Sequence, residues 1–106
     1  MASSPQISVR SRDDLLADIG TALLQIKNQR GLSLPNMADM IGKSDDQLAR
    51  YIAGDMEMGV LAWMRANDAF PELATRMDET AADRAAKARQ RALDLNLTRQ
   101  TERTAA

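Results

Sequence analysis

The chain contains no cysteine and no histidine. Those two absences exclude structural disulfides, zinc fingers, thiol nucleophiles and imidazole bases, and leave carboxylates as the only side chains for a metal site. Aromatic residues are limited to Tyr51, Trp63 and Phe70. A core must therefore be built from Leu, Ile, Met and Ala, the composition of a helical bundle rather than of a sheet. Long apolar runs are missing too. Nothing approaches the roughly 18 residues of a membrane span, and the start, MASSPQISVRSRDD, has no apolar signal region, so a cytoplasmic protein is expected, nucleoid-associated if it binds DNA. Charge is nearly balanced, with 14 Lys and Arg against 15 Asp and Glu over 106 residues. A chain this short buries only about two-thirds of its surface, so a dimer partner would add stability.

What is present reads as a series of capped helices. Residues 1–10 hold three Ser and a Pro without apolar periodicity, which predicts a flexible arm. Ser11 and Asp14 form the S-x-x-D signature of a helix start, and Leu16, Ile19, Leu23 and Ile26 mark one apolar stripe up to Arg30-Gly31. A short helix follows Ser33, with Pro35 in its first turn and Met37, Ala38 and Ile41 inward. Ser44 to Gln47 is a second capping box, opening a third helix with Leu48, Tyr51 and Ile52 inside. A fourth helix is expected over 58–70, with Val60, Leu61, Met64 and, as an open option, Trp63 turned to the core. Residues 72–95 are expected to be helical and projecting, with a bend or restart at Thr80-x-x-Asp83, and 98–106 to be disordered. The predicted fold is thus an all-α, compact four- to five-helix bundle with an extended C-terminal helix. Its divisions are a domain over 11–77, a helical extension over 78–97 and the two tails.

Two helices joined by a three-residue turn define a helix-turn-helix, and Leu34 to Gly54 fit that geometry. Ala38 is small where the third helix crosses, Gly42 suits the turn, and Leu48 and Tyr51 fill the angle between the helices. The stretch LPNMADMIGKSDDQLARYIAGD, within about residues 12–75, resembles the Cro/C1-type (XRE-like) helix-turn-helix regulators of phages and bacteria. The resemblance implies a dimer that sets its third helix, Ser44–Ala53, in the major groove of double-stranded DNA. Ser44, Asp45, Asp46, Ala49 and Arg50 would then face the groove, and Lys43 and Gln47 the backbone. Three positions depart from the family pattern: Leu34 where a phosphate-bonding Gln is common, Lys43 in place of an apolar turn residue, and Tyr51 in place of a branched aliphatic.

Charge cuts across that resemblance. Residues 31–80 carry 4 basic and 9 acidic side chains, a net −5, whereas 1–30 are +1 and 81–106 are +3. Phosphate neutralisation is expected to come from the flanks, from Arg10 and Arg12 on one side and Arg84, Lys87, Arg89 and Arg91 on the other. Asp45 and Asp46 are open to two readings, as acceptors for cytosine N4 or as carboxylates stabilising a helix N-terminus. Arg50 is either a base or phosphate contact or a solvated partner of Asp46 one turn back. Leu73, Met77 and Leu93 are expected to form the dimer interface, with a second copy or a related regulator. The expected function is a dimeric, sequence-specific transcriptional regulator, with repression the expected sign. The alternative is a helix-turn-helix domain turned to protein binding, such as an anti-activator or heterodimer subunit. No catalytic set can be assembled, so neither enzyme activity nor a cofactor, metal or small-molecule ligand is expected.

Overall fold

A computed structural model of the chain describes residues 10–104, with side chains through 97. The predicted flexible arm therefore falls outside the described residues except for Arg10. Five helices follow one another, α1 (Arg12–Arg30), α2 (Leu34–Ile41), α3 (Asp45–Ala53), α4 (Val60–Ala69) and α5 (Leu73–Thr104), with no strand among the described residues. The all-α class, five-helix arrangement and long C-terminal helix match the expectation.

Local chemistry sets the first three helices. Ser11 accepts from the Asp14 N–H at 3.1 Å, Ser33 from the Asn36 N–H at 3.2 Å, and Ser44 from the Gln47 N–H at 3.2 Å. Only the Ser44 cap is a complete box, with the Gln47 side chain accepting from the Ser44 N–H in return. At α1 the return bond is absent from the cap, and the Asp14 carboxylate lies 4.0 Å from Arg84 instead. Gly42 ends α2 at φ 69°, a left-handed conformation that a side chain would strain, and its N–H bonds back to Asp39.

The core lies where α1, α2 and α3 meet the start of α5. Leu23, Ile26, Met37, Ala38, Ile41, Leu48, Phe70 and Leu73 are all buried there, with Tyr51 and Met77 beside them. Leu16 is buried and Ile19 half-buried, so the predicted α1 stripe points inward as a whole. Phe70 precedes Pro71, which disfavours helical geometry at the residue before it. Phe70 accordingly leaves the helix at φ −127°, ψ 82° and drops its ring under the Arg30 guanidinium, 5.1 Å away.

Three expectations fail in the second half. First, α4 turns its large apolar residues out: Val60, Leu61 and Met64 are 75%, 72% and 57% exposed, while Ala62 and Ala66 are buried. The helix is apolar on nearly every side, so periodicity could not choose a face, and two alanines one turn apart admit the closest approach to the core. Second, α5 does not restart at Thr80 but runs as one continuous helix. Thr80 donates to the Arg76 carbonyl at 2.9 Å within the helix rather than capping a new one, and no Gly or Pro interrupts 72–106. For the same reason the helix runs through Thr104, past the expected start of disorder at 98. Third, Leu73 and Met77 are buried in the core of the single chain and are not available as a dimer surface, because α5 packs on α1 over its first turns. Leu93, in contrast, is exposed.

Candidate nucleic-acid interface

The position of α3 is fixed by contacts with two helices, α2 and α1. Leu48 and Tyr51 point into the angle between α2 and α3, and Ala38 gives the small surface that lets α3 cross α2. Against α1 the approach is closer. A Cβ added to Gly20 would lie 2.9 Å from the Tyr51 carbonyl oxygen and closer still to that of Ile52. Gly20 is thus the point where α1 and the C-terminal turn of α3 touch backbone to backbone. The sequence signal was a glycine in the middle of a well-capped helix, which costs helix stability unless close packing requires it.

With its inner face held, α3 presents the opposite one to solvent. Ser44, Asp45, Asp46, Ala49 and Arg50 are exposed, and Lys43 and Gln47 half-buried, so the expected reading residues share one accessible surface. Gln47 is committed to the capping box. Asp45 and Asp46 occupy the first turn of α3, where carboxylates stabilise the N-terminus. No ion pair joins Asp46 to Arg50, and among the described residues neither Lys43 nor Arg50 is paired with a carboxylate. Arg65 of α4, which the sequence reading did not single out, also has no carboxylate partner among the described residues, and its guanidinium lies over Gly42 at the end of α2.

The flanking arginines behave differently. Arg10 bonds Asp18 at 3.2 Å and Asp78 at 3.4 Å, and Arg12 is paired with Glu57. Arg84 reaches Asp18 through both terminal nitrogens, one at 3.2 Å. The expectation that Arg10, Arg12 and Arg84 neutralise phosphates must therefore be corrected: each guanidinium already faces a carboxylate in its own chain. Among the described residues of α5, Lys87, Arg89 and Arg91 are exposed and have no such partner, Lys87 and Arg91 lying along the cleft between α5 and α1.

Asp18 is the structural centre of that network, and the sequence reading missed it. Its carboxylate is fully buried between α1 and α5, with two guanidinium groups satisfying it. The hydrogen bond from Arg84 to Asp18 raises the pKa of Arg84 above its ordinary value. At the other end of the α1–α5 contact, Arg30 holds Glu72 by two bonds of 2.9 Å. Glu72 titrates below the usual carboxylate range, chiefly because its own backbone N–H bonds the carboxylate and further because Arg30 faces it. An Asp one turn from the apolar stripe of α1 was the available sequence signal for Asp18, but its partners lie 8 and 66 residues away.

No family model matches this chain, and no curated protein sequence matches it. Among the described residues no group of three carboxylates is placed to hold a metal ion, and no helix is long and apolar enough to cross a membrane.

Proposed function

We propose that the chain is a sequence-specific DNA-binding regulator of the Cro/C1-like kind, reading the major groove with the outer face of α3. One observation carries this reading. The α2–turn–α3 unit is locked from inside by Ala38, Leu48 and Tyr51, while Asp45, Asp46, Ala49 and Arg50 stand outside with no packing duty. A helix held this rigidly with a polar face outward suits base reading, where misplacement of donor and acceptor groups erases discrimination.

Within that proposal each residue has a chemical role. Arg50 would donate to guanine O6 and N7, Asp45 or Asp46 would accept from cytosine N4, and Lys43 at the turn would neutralise an adjacent phosphate. Since the body is acidic, Lys87, Arg89 and Arg91 would add the remaining long-range attraction. A chromatin pull-down with a tagged full chain tests the reading. Discrete peaks sharing a short motif, lost with Arg50→Ala, would support it, and featureless recovery would refute it.

A second reading, a helix-turn-helix surface turned to a protein partner, draws on the net charge of residues 31–80 and on the outward apolar face of α4. It requires that the chain recover a specific protein and show no preference among duplexes.

A further inference from the structure

Helix α4 is inverted relative to ordinary amphipathic packing: its alanines face the core and its large apolar side chains face out. Val60 and Met64 are one turn apart and Leu61 lies between them, so the three form one contiguous patch. Met40 of α2, 42% exposed, borders the same side through the shallow cleft it shares with Arg65 and Asp68. Monomeric proteins seldom leave such a patch uncovered.

The described part of the chain does not cover it. α5 runs antiparallel to α1, from the Glu72–Arg30 pair to the Arg84–Asp18 pair, so its exposed Leu93 and Leu95 lie beyond the start of α1. Charge at the patch indicates what does. Arg65 and Asp68 stand three residues apart on α4, opposite in sign, and neither has an ion-pair partner among the described residues. An apolar centre edged by one charge of each sign is complementary to itself. A two-fold axis beside α4 sets the Arg65 of each copy against the Asp68 of the other.

We infer that the outward face of α4 is a two-fold contact with a second copy of this chain, centred on Leu61 and Met64 and closed by reciprocal Arg65–Asp68 pairs. The choice of a second copy over another protein rests on the DNA-reading proposal, which needs two half-sites about one helical turn, or roughly 34 Å, apart. The loop from Gly54 to Gly59 joins α3 directly to α4, so pairing there holds the two reading helices near the symmetry axis. Pairing through the tip of α5 would instead use the far end of a molecule 62 Å long and carry them away from it.

Sedimentation velocity of the full chain without DNA, from low to high micromolar concentration, tests the contact. The wild type is expected to dimerise, and Leu61→Glu with Met64→Glu to weaken the dimer about tenfold or more, with helical circular dichroism unchanged because both side chains are already exposed. Arg65→Asp and Asp68→Arg are each expected to weaken it, and the two together to restore it, a readout that does not depend on how the apolar variant folds. A wild type monomeric at every concentration, apolar variants that dimerise as the wild type does, or an exchange that fails to restore pairing would each overturn the inference. Since no DNA is present, a dimer that binds no duplex would leave the contact standing and remove the DNA reading, and a monomer that binds a specific duplex would do the reverse.

Discussion

Replacing Gly20 with alanine sets two effects of known sign against each other. In an ordinary helix interior the change would stabilise by about 1 kcal/mol, since Gly loses more backbone freedom on folding than Ala. Here the new methyl would meet the carbonyl oxygens of Tyr51 and Ile52, the former at 2.9 Å. These are backbone atoms inside α3, so no rotamer change relieves the contact and α1 and α3 must separate. Overpacking of this kind costs about 1–3 kcal/mol, and the absence of any flexible neighbour places it in the upper part of that range. The net expectation is a loss of about 1–2 kcal/mol, which for a domain of this size lowers the melting temperature by roughly 5–15 °C. Thermal unfolding followed at 222 nm reads the effect, with Thr21→Ala as the control: it lies on the exposed side of the same helix and should be neutral or slightly stabilising. Gly20→Ala melting at or above the wild-type temperature would show that α1 and α3 are not in backbone contact and that α3 is not anchored as described.

Other perturbations separate the roles of neighbouring residues. Ala38→Leu should destabilise by about 1–3 kcal/mol, because α3 crosses α2 at that point, and urea unfolding checks it. Arg50→Ala should leave the urea midpoint unchanged, since the side chain is exposed, yet cost about 1–3 kcal/mol of specific duplex affinity in a fluorescence anisotropy titration. Asp18→Ala and Arg84→Ala should each lower the unfolding midpoint and speed amide exchange in α5 around residues 80–88, with the double variant little worse than the more severe single one, since the Asp18–Arg84 bond is already lost in either. Glu72 has a depressed pKa in the folded chain, so its contribution is present above its unfolded value and is lost as pH falls through the folded one. Glu72→Gln should therefore be less stable than the wild type at pH 7, with the gap closing below the ordinary carboxylate range in acid-titrated melts.

The parts of the fold that were legible are those set by local chemistry. Ser11, Ser33 and Ser44 mark three helix starts because a cap is a bond over three residues, and Gly31 and Gly42 end helices by backbone conformation alone. The short turn between α2 and α3 followed from Gly42 and the Ser44 cap, and the buried pairing of the two helices from Ala38, Leu48 and Tyr51. What stayed hidden depends on residues far apart in the chain. The orientation of α4 could not be read from a helix with Val60, Leu61, Ala62, Trp63, Met64 and Ala66 in succession or nearly so, where either face satisfies the pattern. Arg10 and Arg84 looked like free cations because Asp18, the carboxylate that holds both, is on neither of their segments. Leu73 and Met77 looked like a dimer surface for the same reason: the first turns of α5 complete the core formed by α1, so the core extends past α4.

The most direct trial of DNA reading by α3 is selection of bound sequences from a pool of randomised duplexes by the purified full chain. Strong enrichment is expected of two short inverted half-sites with centres about one helical turn apart, each containing a guanine whose replacement matters to the wild type but not to Arg50→Ala. A final pool no different from the starting one, or enrichment unaffected by Arg50→Ala and by substitution at Asp45 and Asp46, would contradict the assignment of α3 as the reading helix.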